Sequence, residues 1–419
     1  MAIRFIHAAD IHLDSPLHGL SAYPDAPAAQ LRGATRDAFS LLVDYAIDEA
    51  VDFVVLAGDL YDGTWRDYNT GIYFCKEMGR LKRASIPVYL LYGNHDAESE
   101  MTRKLELPEN VHCFPTHKPE TFALEGISVA LHGQSFKQPA VTENLAANYP
   151  PAVPGVFNIG VLHTALEGYA AHASYAPCTL DELYARGYQY WALGHVHEFA
   201  QWTGQSVVVF PGNLQGRSIK ECSRRGAVLV TVNDDHHVNI ERVFIDVLRW
   251  ERVVVDARSL ESIGDVSRAT GRELQALLDI DGHVPRAVRV TIDGPTRAHG
   301  QLFGLESQLR SEVLAQISAI GSDRLWLEKV CLTTTPLLET AHSDKAVGAF
   351  ADLKKILSGA TDDEDFLRNL QSELSIFVAK APMELFDLMP ELEQIRQGNF
   401  AALVDGLTPG LLALISEKG

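Results

Sequence analysis

The amino-acid sequence predicts an α/β protein: a sheet-rich core covered by helices, then a small α+β unit, then a helical tail. Three observations predict it. Short apolar, β-branched runs recur from residue 3 to about residue 250, a polar motif stands directly behind five of them, and the texture changes after Arg249.

In chain order the runs are Ile3–Ala8, Phe53–Leu56, Val88–Tyr92, Ile127–Leu131, Phe157–Leu162, Tyr190–Leu193, Val207–Phe210 and Val228–Val232. Each has strand length and is bounded by Gly, Pro or Asp. Between the earlier runs, Arg36–Glu49 and Gly71–Arg83 place apolar residues at three- and four-residue spacing, which predicts helices lying on the sheet. Residues 251–335 hold the strand-like runs Val253–Val255, Ala287–Ile292 and Leu325–Val330 around a helical Leu302–Ile320. The tail reads as helices over Ala346–Leu357, Glu364–Val378, Met383–Gln397 and Phe400–Ile415. Segments 1–250, 251–335 and 344–419 are therefore expected, the last with 13 Asp/Glu against 7 Lys/Arg.

A chain of 419 residues is too long for one compact core, and 46% hydrophobic with 22% charged residues is an ordinary globular balance. The first residues contain no signal-peptide apolar region, and no apolar stretch approaches the roughly 20 residues that cross a bilayer. The five cysteines (Cys75, Cys113, Cys178, Cys222, Cys331) are scattered, odd in number and without C-x-x-C spacing, so reduced thiols in a cytoplasmic protein are expected, with no membrane attachment. A net charge of −19 opposes non-specific adhesion to nucleic acid. Net charge describes the far field, however, and a local cluster of divalent cations reverses the sign at a site.

Asp10-Ile11-His12, Gly58-Asp59-Leu60-Tyr61-Asp62, Gly93-Asn94-His95-Asp96, His163 and Gly194-His195-Val196-His197 each follow an apolar run. Ligands at the carboxyl ends of strands converge on one crevice. In extended chain, residues i and i+2 face the same side, which would turn Asp10 and His12, and likewise His195 and His197, into one cavity. Asn94 and His95 are neighbours and point apart, suiting one ligand and one substrate-facing group. Asp10, His12, Asp59, Asn94, His163, His195 and His197 offer two carboxylates, one amide oxygen and four imidazoles, with no sulfur. Seven side chains are too many for one ion with an open position; with Asp59 bridging they divide between two. Paired metals roughly 3.5–4 Å apart serve in-line displacement at phosphorus. Any one of these motifs alone is equally a turn or a hydrogen-bonded structural histidine. Their occurrence together, in order and at strand ends, points to a metal site.

That ordered set resembles the calcineurin-like metallophosphoesterase superfamily, with its D-x-H, G-D-x-x-D, G-N-H-D/E, lone His and G-H-x-H motifs. Within it, FIHAADIHLDSPL, GDLYDG and FPGNLQGRSIKECSRRGAVLVTV resemble the SbcD-type DNA repair exonucleases, in particular their YhaO-like branch. Gly63 follows Asp62 where phosphoprotein phosphatases carry an arginine. The resemblance implies a four-layer αββα sandwich, with Asp10, His12, Asp59 and His197 on one metal and Asp59, Asn94, His163 and His195 on the other. It also implies 251–335 as a capping or DNA-binding domain, and divalent ions of the Mn²⁺ type, with Fe, Zn or Co as alternatives. The implied partners are DNA, a second copy of the chain and an SMC-like coiled-coil ATPase. Leu385, Phe386, Leu388, Met389 and Leu392 would form the ATPase-docking face, or else bury against the same chain.

The chemistry expected is phosphodiester hydrolysis by a hydroxide activated by two metals. His95 would stabilise the transition state or protonate the leaving oxygen. Asp96 would orient His95 or cap a turn, and Asp62 would support the site electrostatically or brace its loop. Arg217 and Lys220 would contact a nucleic-acid backbone, or sit in a solvated loop. His132 and His7 have structural roles as the alternative to lining the site; His236 and His237 are expected in solvent. Trp65 and Tyr68 would stack on bases or pack on a helix. Three function classes stay open: a metal-dependent DNA exonuclease or endonuclease, a phosphodiesterase or phosphatase acting on nucleotides or other small phosphoesters, and a non-catalytic scaffold.

Overall fold

The computed structural model describes residues 2–17, 28–62, 68–98, 106–167, 175–280, 283–302, 304–321, 323–337, 355–357, 359–378, 380, 390–404 and 407–408. The chain divides into two compact units, Met1–Glu251 with His283–Ala287, and Arg252–Gly282 with Val288–Gly419.

The first unit opens with β1 (Ile3–Ala8), α1 (Ala28–Asp48), β2 (Phe53–Ala57), α2 (Tyr68–Arg83), β3 (Val88–Leu91) and the single turn α3 (Asn94–Glu98). It continues with β4 (Val111–Cys113), β5 (Glu120–Leu124), β6 (Val129–Gly133), β7 (Phe157–His163), α4 (Leu180–Tyr184) and β8 (Tyr190–Gly194). Strands β9 (Ala200–Thr203), β10 (Val207–Phe210), β11 (Gly226–Val232) and β12 (Val238–Phe244) complete it. They form two six-stranded sheets, ordered β12-β11-β1-β2-β3-β4 and β5-β6-β7-β8-β10-β9. The central strands β1-β2-β3 and β6-β7-β8-β10 are parallel, while β11 and β12 on one sheet and β5 and β9 on the other run antiparallel.

Strand alternation builds the layers. On β2, Phe53, Val55 and Ala57 enter a core shared with Ile159, Val161 and Tyr190 of the other sheet. Val54 and Leu56 point the opposite way, into a core with Phe39, Leu42 and Val43 of α1 and Phe74 and Met78 of α2. The second sheet repeats this: Leu162, Trp191, Leu193, Val208 and Phe210 face outward onto Leu145, Tyr149 and Leu183. Strands buried on both faces read as continuous apolar runs rather than alternating ones. That is why the central strands are visible in the sequence.

The second unit contains the three-stranded sheet β13-β14-β15, with β13 (Arg249–Asp256), α5 (Ile263–Ile280), β14 (Arg286–Thr296), α6 (His299–Leu302), α7 (Glu306–Ile320) and β15 (Leu325–Pro336). Val253, Val255, Val288, Val290, Leu325 and Leu327 pack with Val266 and Leu274 of α5 and Val313 and Ile317 of α7. Helix α5 is absent from the sequence expectation, which had only a helix over Leu302–Ile320.

In the tail, Glu364–Val378 and Pro390–Arg396 are helical. Leu392 is buried with Val378, Ile395, Phe400 and Leu403, so it belongs to the tail's own small core and not to a docking face. Leu385, Phe386, Leu388 and Met389 lie outside the described residues, as does most of the helix expected over 346–357. All five cysteines are free thiols. Among the described residues no helix is long and apolar enough to cross a membrane.

Candidate metal centre

Five parallel strands deliver the site. Asp10 follows β1, Asp59 follows β2 after Gly58, and Asn94 follows β3 at the start of α3; His163 ends β7, while His195 and His197 follow β8. The first three come from one sheet and the last three from the other. Across that gap the His195 amide donates to both oxygens of Asp10, at 3.1 and 3.0 Å; within the first sheet the His95 amide donates to Asp59 Oδ1 at 3.0 Å.

The backbone behind these ligands is not extended, which corrects the expectation for Asp10 and His12 and also for His195, which joins a different donor group from His197. Asp10 (φ 51°), His12 (φ 45°), Asp59 (φ 53°) and His195 (φ 103°) all occupy the left-handed region. Non-glycine residues there cost about 1–2 kcal/mol and cluster at functional sites. A ladder between the two loops holds them: Asp10 N donates to Gly58 O, Ile11 and His12 N to Asp59 O, and Leu13 N to Leu60 O, all at 2.9–3.0 Å. Gly58 has φ 98°, and a Cβ there would meet His163 Nδ1 at 2.3 Å, so glycine is required by both conformation and space.

Three groups of donors converge, each with ligand atoms within 4.8 Å of one another: Asp10, His12 and His197; Asp59, His163 and His195; and His12, Asp62 and His95. His163 donates Nδ1–H to the Ala57 carbonyl at 3.0 Å. Its Nε2 then faces Asn94 Oδ1 at 3.0 Å and Asp59 Oδ2 at 3.5 Å. Three acceptors meet there unless a proton or a cation sits between them. In the metal-free chain a proton does so: burial pushes His163 down, but Asp59 and Asp10 more than reverse it, to about 9. Asp59 is correspondingly held well below the usual carboxylate range, against its burial, by His163, His12 and His95. A divalent cation satisfies the same three acceptors.

The other pole is similar. His12 Nε2 and His197 Nε2 are 3.3 Å apart, with Asp10 Oδ1 3.9 Å from His197 Nε2 and Asp59 Oδ2 3.9 Å from His12 Nε2. Burial lowers His12 to about 3, so it is a neutral imidazole with a lone pair to give. Burial and the nearby Asp59 raise Asp10 to about 6, although His197 and His163 oppose the shift. Oxygen and imidazole donors without sulfur suit hard or borderline divalent ions. Asp59 stands between the two poles, which fits a bridging carboxylate.

Asp62 occupies a different place from the seven. Its Oδ1 lies 3.5 Å from both His12 Nδ1 and His95 Nδ1, and its Oδ2 accepts from Ser15 Oγ at 2.8 Å. His95 is the exposed member, with 37% of its side chain open. Asp96 does not take the orienting position expected of it. Its carboxylate accepts from the amides of Leu60, Tyr61 and Gly93 at 3.2, 2.9 and 3.0 Å, which braces the two loops; Asp62 is the carboxylate beside His95 Nδ1.

Arg217 and Lys220, expected together, are separated. Arg217 lines the centre with 17% of its side chain exposed, Nη1 3.4 Å from Ser15 Oγ and 3.7 Å from Asp62 Oδ1. Lys220 is exposed in its loop. The sequence reading missed Glu221. Its Oε1 accepts from His197 Nδ1 at 2.8 Å and Arg217 Nη2 at 3.3 Å, and its Oε2 accepts from Arg217 N at 2.7 Å and Asn213 Nδ2 at 2.9 Å. The signal available was chemical: a metal-facing histidine needs an acceptor for its other N–H.

His132 is structural, between Thr121 Oγ1 at 2.8 Å and Asn158 Oδ1 at 3.0 Å. So is His7, between Tyr190 OH at 2.9 Å and Leu193 O at 3.1 Å. His236 and His237 are exposed. Tyr68 is exposed at the start of α2, and Trp65 lies outside the described residues.

Residues 3–199 match the calcineurin-like phosphoesterase family, and residues 250–335 match the middle domain of metallophosphoesterase YhaO. The first unit is a calcineurin-like metallophosphoesterase domain. The chain is YhaO-like: it is 39% identical over 266 residues to the uncharacterized metallophosphoesterase YhaO of Bacillus subtilis, covering 62% of this chain and 65% of that one. It is 26% identical over 269 residues to the DNA double-strand break repair protein Mre11 of Sulfurisphaera tokodaii, covering 61% and 66%. The Mre11 of Methanopyrus kandleri is 24% identical over 278 residues, covering 60% and 58%. The chain therefore spans just under two-thirds of the length of these relatives. Metallophosphoesterases of this family bind two divalent metals, and the two poles described above are the candidate positions for them.

Proposed function

We propose that this metallophosphoesterase hydrolyses phosphodiesters in DNA, as an exonuclease, with two divalent cations of the Mn²⁺ type. The observation that carries the metal reading is the meeting of His163 Nε2, Asn94 Oδ1 and Asp59 Oδ2 with no donor between them but a proton. The DNA reading is supported by the likeness to two Mre11 proteins, named for double-strand break repair.

When bound, the cations supply Lewis acidity to the phosphoryl oxygens and make water nucleophilic at neutral pH. Asp10, His12, Asp59 and His197 would hold one and Asp59, Asn94, His163 and His195 the other. The Asp62 carboxylate lies 3.5 Å from His95 Nδ1, and Nε2 of this partly exposed ring would give a proton to the leaving oxygen. Asp96 keeps the two ligand loops in register. The Arg217 guanidinium stands beside Asp62 and Ser15 and supplies a fixed positive charge for a substrate phosphate. A second copy of the chain and a coiled-coil ATPase belong to the same proposal.

The test is hydrolysis by the purified chain of single- and double-stranded DNA and of bis-p-nitrophenyl phosphate, with Mn²⁺ and with chelator. Cleavage of all three that chelator abolishes and Mn²⁺ restores is the expected result. Hydrolysis of bis-p-nitrophenyl phosphate with DNA left intact would sink the nuclease reading and leave a small-substrate phosphodiesterase. Loss of neither activity on metal removal would sink the metal reading.

A further inference from the structure

Two guanidiniums outside the metal centre stand together, and neither is in an ion pair among the described residues. Arg224, in the loop before β11, has its Cζ 4.0 Å from the Phe244 ring centroid. Arg242, on β12, has its Cζ 4.7 Å from the same ring and 4.5 Å from that of Phe199. Arg242 Nη2 also lies 3.4 Å from the Arg224 carbonyl, to which it donates. Both side chains are exposed, and among the described residues neither forms an ion pair. A third cation, the buried Arg225, is paired with Glu198 at 2.6 Å.

The fold places this pair deliberately. On the edge strand β12, Val243 turns into the core beneath α1, so Arg242 and Phe244 face the opposite side, toward the layer between the sheets. Phe199, packed against that same layer, leads into β9, the edge of the other sheet. The pair thus sits on the rim where the two sheet edges meet. It is tied to the metal centre through Arg225, whose Nη1 donates to the His197 carbonyl and whose Nη2 donates to the Cys222 carbonyl at 2.6 Å.

Glu198, which pairs with Arg225, also acts on Arg242, but Arg224 and Arg225 both oppose it. In a chain with 55 acidic against 36 basic residues, like charges are here held beside aromatic rings, at a cost in mutual repulsion that an anion would relieve. Guanidiniums lie over the Phe244 and Phe199 rings, and their N–H groups suit phosphates as the groups to be met. We propose that Arg224 and Arg242 form a phosphodiester-backbone site that holds the DNA strand where it leaves the metal centre. This rests on the DNA reading above.

The double variant Arg224→Gln/Arg242→Gln tests it, with labelled duplex DNA and bis-p-nitrophenyl phosphate assayed in parallel in Mn²⁺ over a range of salt. The expected result is a fall of about tenfold in kcat/KM on DNA near physiological salt, and a salt slope shallower by about two. Hydrolysis of bis-p-nitrophenyl phosphate stays at the wild-type level. Wild-type DNA cleavage with an unchanged slope in the variant overturns the backbone site alone. A wild-type chain that hydrolyses bis-p-nitrophenyl phosphate but not DNA overturns the DNA reading and this site with it. Should the Gln pair also lose the small substrate, the Arg224→Lys/Arg242→Lys pair decides: a wild-type salt slope supports the site, and a slope shallower by about two overturns it.

Discussion

Glu221→Gln separates the two candidate metal positions. The Glu221 carboxylate faces four donors: His197 Nδ1 at 2.8 Å, Arg217 N at 2.7 Å, Asn213 Nδ2 at 2.9 Å and Arg217 Nη2 at 3.3 Å. Burial would raise its pKa, but the bond from His197 and the charge of Arg217 hold it well below the usual carboxylate range, so it is ionised. A glutamine keeps the shape but offers one acceptor oxygen; its NH₂ must then oppose two of the four donors. With the charge gone and one oxygen left for four donors, His197 has a weaker partner for Nδ1–H, and Nε2 is aimed less firmly at Asp10 and His12. Removing such a support costs about 10–100-fold in metal affinity, or about 1.4–2.7 kcal/mol. The loss falls on the position formed by Asp10, His12 and His197. The position formed by Asp59, Asn94, His163 and His195 has its own support, the Ala57 carbonyl, and keeps its affinity. Calorimetric titration of the apoprotein with Mn²⁺ reads the two separately, and kcat recovers when Mn²⁺ is raised to saturation. Equal weakening of both positions, or of neither, refutes the assignment of Glu221 to one pole.

His95→Asn should leave Mn²⁺ stoichiometry at the wild-type value while lowering kcat on bis-p-nitrophenyl phosphate by about 10²–10⁴-fold; metal loss measured by elemental analysis would remove His95 from the substrate side. Asp96→Asn sets an NH₂ against the Tyr61 amide or against those of Leu60 and Gly93, so the apoprotein should lose about 1–3 kcal/mol in urea denaturation. An unchanged midpoint would mean that Asp96 does not brace these loops. His7 is lowered to about 3 by burial, whereas an unfolded histidine titrates near 6.5, so as pH falls the unfolded chain takes the proton first. Its contribution is intact above about pH 6.5 and declines toward pH 3, by about 2 kcal/mol between pH 6.5 and pH 5. Denaturation of the apoprotein at both pH values should show that much less acid sensitivity in His7→Gln, and equal sensitivity in the two proteins rules it out.

The first unit's central strands were legible because both their faces are buried, and Ile3–Ala8 and Val207–Phe210 have the bounds expected. Strands β4, β5, β9 and β12 were not, because they stand at sheet edges, half-exposed, with polar residues interrupting their apolar ones, as in Val238–Phe244. Helix α5 was hidden by Gly264 and Gly271, which read as breakers. At Gly271 an added Cβ would come within 2.5 Å of Gln316 Oε1 on α7, so the residue marks a close approach of two helices. At the metal centre the residue types and their places at strand ends were legible. Their backbone was not, since a left-handed aspartate or histidine has no signature of its own. Glu221 was also hidden, because a glutamate in a loop is ordinarily solvated and its partners lie on elements far apart in sequence.

The left-handed ligands also bear on how the centre binds metal. Four of them at positive φ carry a cost of several kcal/mol in the folded chain. The loop ladder from Asp10 N to Leu13 N holds Asp10, His12 and Asp59, and the Asp10 carboxylate accepts from the His195 amide. A divalent ion bound by His163, Asn94 and Asp59 would displace the proton that they share. Proton release on Mn²⁺ binding follows from the same geometry. Because His163 titrates at about 9, the apoprotein carries that proton at neutral pH, and apparent affinity rises with pH through the neutral range. Calorimetry of Mn²⁺ binding in buffers of different ionisation enthalpy measures the release, and a value of zero at pH 7 would show that the three acceptors are not where the ion goes.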